Sequence, residues 1–258
     1  MLISKRHYVE VYLTKLQLNL HAEASKTYLG YIWWILEPIL FVAVFYYVFA
    51  VFLQRGGDNF VAFLLCGKVP YLWFSKSINN SAQSIKAGRG LINQVPINKA
   101  FFPLLVIGQD LVKQTIVFAL MLGFLVVYGI TPGLQWFSVL FVLVTQLAII
   151  VPCALIAAGV TAFIPDFRYL IQTAMLLLLF GSGIFYSYKD VILPRHQELF
   201  LLNPLARLIK NYRQVLLDLQ TPDWYELSVL LVGSLIVTFI VLRLYQKADF
   251  AFARMATE

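Results

Sequence analysis

The chain is short of charge, histidine and cysteine for its 258 residues, and each scarcity removes a class of function. Only 13% of residues are Asp, Glu, Lys or Arg, against 60% apolar, and mean hydropathy is +0.78, too apolar for a soluble chain of this length. The three histidines, His7, His21 and His196, are scattered outside the apolar stretches, so neither a metal cluster nor a Ser/His/acid triad is suggested. Cys66 and Cys153 both lie inside apolar stretches and read as small buried residues with no disulfide framework. A phosphate-cradling loop is missing too. Gly67-Lys68 lacks Gly at Ala62 and Ser or Thr at Val69, and Gly88-x-Gly90 is too little for a nucleotide fingerprint. No internal repeat or low-complexity segment stands out.

What is abundant is apolar sequence in pieces of bilayer length. Six stretches, at about 34–54, 60–84, 104–128, 136–164, 169–188 and 226–246, each approximate the roughly 20 residues of one crossing. They are near-continuous and do not alternate with period two, so helices and not a barrel satisfy the backbone in lipid. The expected fold is an all-α integral membrane protein, a single transmembrane domain over residues 1–258 with six crossings. Lys5, Arg6, Lys15 and Lys26 precede the first stretch, Lys86, Arg89 and Lys99 follow the second, and Arg168 follows the fourth. With Lys247 and Arg254 in the tail, this excess predicts cytoplasmic termini. The net charge of +7 then reflects cytoplasmic loops and anionic headgroups, and calls for no nucleic acid. Residues 1–30 lack an apolar signal-like run, so the first stretch is expected to act as its own uncleaved insertion signal.

The polar connections carry the remaining information. In the leader, residues 1–33, Val9, Tyr12, Leu13, Leu16 and Leu20 share one helical face, which predicts an interfacial helix on the cytoplasmic leaflet. Trp33 and Trp34 fit an interfacial aromatic belt, whereas Glu37 and Pro38, one turn into a span, should face protein or water. The second stretch ends in Ser75, Ser77, Asn79, Asn80 and Ser81, a pattern of helix contacts or a wet cavity, and its Lys68 is expected to snorkel to the outer interface. Asp110 and Lys113 are spaced to pair on one helical face, and Asp166 is placed to cap the helix after it.

The 84–103 connection sets Lys86, Arg89 and Lys99 among Leu91, Ile92, Val95 and Pro96. A cytoplasmic docking element and a membrane-surface segment bound to anionic lipid both fit it. In the outer 186–225 loop, Asn203 and Pro204 form a helix start. The stripe of Leu205, Leu208, Ile209, Tyr212 and Val215 then predicts a gate helix lying against the outer mouth, with Arg207, Lys210 and Arg213 left available to headgroups or an anionic glycan.

Taken in order, several of these elements resemble one family. They are the leader, Leu29-Gly30-Tyr31-Ile32-Trp33-Trp34 with Glu37-Pro38, Gly67-x-x-Pro70 before Trp73-Phe74, the Asn93 to Pro103 connection, Asp166-x-Arg168, and Asn203-Pro204. The sequence is similar to the membrane subunits of type-2 ABC exporters of bacterial surface polysaccharides such as O antigens and capsules. The resemblance implies a homodimer of this subunit in the bacterial inner membrane, bound to two copies of a separate nucleotide-binding ATPase subunit. ATP and Mg would sit on that partner, with no cofactor on this chain and no catalytic or metal-binding residue expected. The 84–103 segment would couple ATPase closure to the spans, through Lys86, Arg89, Leu91, Ile92, Val95, Pro96 and Lys99. A channel for a polar polymer needs aromatic faces and hydrogen-bonding groups, for which Trp33, Trp34, Glu37, Phe41, Phe45, Tyr46, Trp73, Phe74, Tyr186 and Tyr188 are the candidates. Two other readings stay open: a type-2 exporter of drugs or lipids, and a membrane enzyme of lipid-linked sugar metabolism. The enzyme requires clustered Asp, Glu, His or Arg at the membrane face.

Overall fold

The structure, a computed structural model, describes residues 5–26, 28–52, 59–92, 97–187 and 194–248, and among them every regular element is helical. In chain order these are α1 (Lys5–Ser25), α2 (Ile32–Phe45), α3 (Phe60–Ala82), the single turns α4 (Ser84–Ala87) and α5 (Arg89–Ile92), α6 (Phe101–Val127), α7 (Val139–Phe163), α8 (Phe167–Gly181), α9 (Pro194–Leu201), α10 (Pro204–Leu216) and α11 (Trp224–Lys247). A π-helical segment, Tyr46–Phe52, prolongs α2, and a 3-10 turn, Leu134–Ser138, leads into α7.

A helix occupies each of the six apolar stretches. Three segments have both the length and the hydropathy to cross a membrane: Phe101–Val127, Leu134–Phe163 and Trp224–Lys247. Helix α8 is apolar but 15 residues long, α2 is interrupted by Pro38, and α3 has the length but carries two lysines and a Ser/Asn run. Those departures from a plain span mark where polar groups have been brought inside the protein.

Helix α3 is the centre of the bundle, packed against α6 and α7 along its length and crossed by α10. An aromatic chain runs through that core: Trp73 meets Phe118 edge-on at 6.4 Å between ring centroids, and Phe118 meets Tyr212 at 5.6 Å. Small residues line α3, and Ser77 and Ser81, four apart, are wholly buried, which permits close helix approach. The Thr161 hydroxyl of α7 bonds the Ala82 carbonyl at the end of α3. On the periphery, α8 and α11 turn Leu176, Leu177, Phe180, Leu235, Ile236 and Phe239 outward, an exposed apolar surface suited to lipid or a second bundle.

Three local expectations change. Helix α1 does not present the predicted stripe: Val9 and Leu13 are exposed, while Val11, Tyr12 and Leu16 pack on Phe101, Phe102 and Leu105, because α1 is clamped to α6 by specific bonds. One is the Tyr12 hydroxyl donating to the Leu104 carbonyl at 3.0 Å. Lys68 does not snorkel. It is 6% exposed, its ammonium 5.2 Å from the Tyr71 ring centre, because the tertiary fold covers this part of α3. Asp166 occupies the N-cap position of α8 but makes no capping bond, since its backbone is already helical (φ −70, ψ −19).

Candidate amphiphile site where α1, α2, α3 and α6 meet

Gly30 adopts φ +50, a left-handed conformation that suits glycine, and at this point the chain turns from α1 into α2. The turn brings the start of α2 against α3 and α6, and a cavity of about 210 Å³ opens at their junction. Four sequence candidates line it together: Trp33, Trp34, Glu37 and Trp73. The fold adds Glu23 from α1, Lys76 from α3, and Asp110, Lys113 and Gln114 from α6, none of which had been read as site residues. No single-segment pattern could have found them, because they come from four helices.

The charges are paired across helices. The Lys76 ammonium donates to Glu37 Oε1 at 2.5 Å, and both side chains are about half exposed (49% and 53%). Lys113 contacts Asp110 Oδ1 at 3.0 Å, the pair its spacing predicts, and also reaches Glu23 Oε1 at 3.1 Å. Asp110 is buried and accepts further bonds from Asn80 Nδ2 at 3.2 and 3.3 Å. Trp73 is 2% exposed, yet its indole N–H has no hydrogen-bond partner among the described residues, so a strong donor at this cavity is left unused. Three indoles, paired charges and an unpartnered donor suit a polyhydroxylated ligand, which offers C–H faces to stack and hydroxyls to bond.

A second, apolar cleft of about 310 Å³ continues from the first, sharing Pro38 and Val117 with it. Ile39, Tyr46 and Tyr47 from the first segment face Leu65, Met121 and Phe124 across it. Polar and apolar halves therefore join into one amphiphilic surface. Phe74, by contrast, is buried in the main core, and Tyr186 lies past the end of α8, its hydroxyl bonded to the Phe180 carbonyl at 2.8 Å. Tyr188, Val95 and Pro96 lie outside the described residues, as do the side chains of Phe41 and Phe45.

Helix α10 begins as expected. Asn203 accepts from the Leu205 N–H at 3.0 Å with Pro204 in the first turn, and Leu205, Leu208, Ile209, Tyr212 and Val215 are all buried against the bundle. The Tyr212 hydroxyl donates to Gln146 Oε1 at 2.7 Å, and burial raises its pKa well above the ordinary phenol value. The basic residues of α10 are not available as predicted. Arg207 and Lys210 reach Glu226 of α11 at 3.4 and 3.1 Å. Arg213 is 9% exposed and donates to the Gly183, Ile184 and Phe63 carbonyls at 2.7, 2.8 and 3.2 Å, with its guanidinium 3.3 Å from the Phe63 ring centre. The reason is the turn after α8: Gly183, at φ +70, aims its carbonyls inward, and a cation satisfies them. Gly67 leaves room for it, since a Cβ there would come 2.8 Å from Arg213 Nη2.

In the 84–103 connection Arg89 is exposed, Lys86, Leu91 and Ile92 are part-buried, and Lys99 is 6% exposed beside the buried Ile97 and Ala100. The segment thus presents Lys86 and Arg89 outward while Lys99 belongs to the fold. Among the described residues no group of three His, Cys, Asp or Glu side chains stands close enough to hold a metal ion.

The described residues form a helical bundle with an amphiphilic cleft between its helices, three of them long and apolar enough to cross a membrane. The chain is similar to permease and transport proteins along nearly its whole length. The O-antigen export system permease protein RfbA of Klebsiella pneumoniae is 25% identical over 246 residues, 95% of this chain and 93% of that protein. The protein of the same name from Myxococcus xanthus is 25% identical over 93% of each chain. The polysialic acid transport protein KpsM of Escherichia coli is 27% identical over 87% of this chain and 88% of its own. No family model matches the chain. The resemblance to type-2 ABC polysaccharide export permeases, read from the sequence, stands on these relatives.

Proposed function

We propose that this chain is the channel-forming membrane subunit of an ATP-driven exporter, and that it moves a lipid-linked or growing surface polysaccharide of the O-antigen or capsule type across the bacterial inner membrane. The observation that carries the reading is the half-exposed Glu37–Lys76 pair set among Trp33, Trp34 and Trp73. Exposed charges at this position in an apolar bundle require water or protein beside them and not lipid, so this face of α2 and α3 borders a hydrated path. Indoles along such a path stack on sugar rings without selecting one sugar sequence, as a polymer conduit requires. The adjoining apolar cleft supports a substrate that is itself amphiphilic, a glycan on a lipid carrier.

In this reading six segments cross the membrane with both termini cytoplasmic. Two copies of the chain enclose the path, and two copies of a separate ATPase supply ATP and Mg. Helix α1 and the outward residues Lys86 and Arg89 receive the ATPase stroke, while α10 closes the outer mouth. Reconstitution of the chain with a candidate ATPase subunit tests this directly. ATP-dependent protection of a lipid-linked glycan inside vesicles is the expected result; turnover of ATP with no movement of glycan, with lipid or drug moved instead, overturns it.

A second reading, an enzyme of lipid-linked sugar metabolism, gains from the gathering of Glu23, Glu37 and Asp110 in one cavity. Their pairing with Lys76 and Lys113 opposes it, because a general acid or base must be able to exchange its proton. Chemical alteration of a lipid-linked sugar by the purified chain alone would establish that reading in place of export.

A further inference from the structure

Helix α1 is fastened to the bundle at two points, Tyr12 on the Leu104 carbonyl and Glu23 on Lys113. Between and beyond these points it bridges a cavity of about 520 Å³, walled by α4 and α5 on one side and α6 on the other. The lining carries an excess of positive charge and two buried polar groups without a partner. Lys15 and Lys26 extend from α1 into the lining and have no acidic partner among the described residues. Ser84 is 6% exposed with its hydroxyl unpartnered, and the buried amide nitrogen of Gln109 is unpartnered as well. The acid of the lining, Glu23, is neutralised by Lys113. The floor is apolar, built from Phe102 and Leu105 at the point where α6 enters its long apolar run.

We propose that this cavity binds the phosphate of an anionic phospholipid of the cytoplasmic leaflet. Two ammoniums, a hydroxyl and an amide converging on one space complement an oxyanion with several acceptor oxygens. The apolar floor adds what a free phosphate cannot use, a surface for the glycerol and first methylenes. Burial of two unpartnered donors without a ligand is costly, and a phosphate satisfies both. A lipid held here stitches α1 to the 84–92 turns, so it stiffens the junction between the leader and the cytoplasmic connection. The assignment depends on the chain lying in a membrane and not on what it exports.

Native mass spectrometry of the full chain in neutral detergent tests it, with phosphatidylglycerol, phosphatidylcholine and inorganic phosphate as probes. Phosphatidylglycerol adducts are expected well below the concentration needed for phosphatidylcholine. Lys15→Gln with Lys26→Gln should weaken phosphatidylglycerol binding roughly thirtyfold. Lys15→Arg with Lys26→Arg should retain it, which separates the loss of a site from the loss of a fold. The charge-matched control, Arg243→Gln with Lys247→Gln at the end of α11, should leave binding unchanged. Equal binding of the two lipids, or equal loss in the control, would reduce the site to general surface charge. Displacement of phosphatidylglycerol by millimolar inorganic phosphate would make it a soluble-anion pocket, and the lipid assignment would fall.

Discussion

Lys113 on α6 bonds Glu23 on α1, 90 residues away, at 3.1 Å, while holding the buried Asp110 on its own helix at 3.0 Å. One ammonium therefore serves both as internal counter-ion and as the tie that fastens the end of the leader. Its two jobs separate under mutation. Lys113→Met leaves Asp110 buried with only Asn80 as donor, a loss of about 3 kcal/mol that lowers the melting temperature in detergent. Glu23→Gln removes only the more exposed partner and should cost about 0.5 kcal/mol. If the two variants melt alike, Asp110 is not the dependent partner.

Arg213 predicts the behaviour of the outer helix. Arg213→Met removes the side-chain donor of four carbonyls, on Gly183, Ile184, Phe63 and Tyr186, and should cost about 3 kcal/mol. A cysteine at Leu208, wholly buried in the parent, should then label from outside the cell once Cys66 and Cys153 are removed. Arg213→Lys rescues only in part, because one ammonium cannot reach the carbonyls that a planar fork spans. Labelling that stays low in Arg213→Met would show that α10 is held by its apolar stripe alone.

Tyr212→Phe removes the donor to Gln146 Oε1 in a wholly buried setting, so about 1–2 kcal/mol should be lost. Gln146→Met breaks a second bond as well, the donation of its amide to the Pro70 carbonyl at 2.8 Å, and should cost more than Tyr212→Phe. If Tyr212→Phe costs as much in the Gln146→Met background as in the parent, the hydrogen bond is not the cause.

Trp73→Phe separates packing from binding. The indole N–H has no partner among the described residues, so its loss breaks no bond there, and the ring still meets Phe118. The volume change should cost about 1–2 kcal/mol, measured by thermal melting. Export of glycan should fall beyond that loss, by about tenfold, if the N–H serves the substrate. Normal export in a folded Trp73→Phe variant would place Trp73 in the core only.

Charge reversal at Lys86 and Arg89 should leave the chain inserted and folded while uncoupling ATP hydrolysis from export. The same change at Lys99, which is buried, should lower yield and stability instead. Identical phenotypes at all three positions would remove the distinction between a docking face and a fold residue.

The class of the protein was legible in the chain because its cause is local. Apolar runs of bilayer length force helices, since no other open structure satisfies the backbone in lipid, and the bias of Lys and Arg carries an orientation. The α10 helix was legible for the same reason, with cap, proline and stripe all within thirteen residues, Asn203 to Val215. The Asp110–Lys113 pair followed from a spacing of three. The α1 face was misread because Tyr12 and Leu16 are held by contacts with α6, and a single-helix pattern cannot register a partner 92 residues away.

The sequence by itself therefore determined that the protein is a helical membrane bundle, where its helices start, and which aromatic residues were worth watching. Tertiary structure alone decided what those residues do. Glu23, Lys76 and Lys113 joined Trp33, Trp34 and Trp73 because four helices converge, and Arg213 went inward because the turn at Gly183 offered it carbonyls. The physical difference is range. Helix formation and membrane insertion are fixed by neighbours within a few turns, whereas the partner of a buried charge is whichever distant segment the packing brings within about 3 Å.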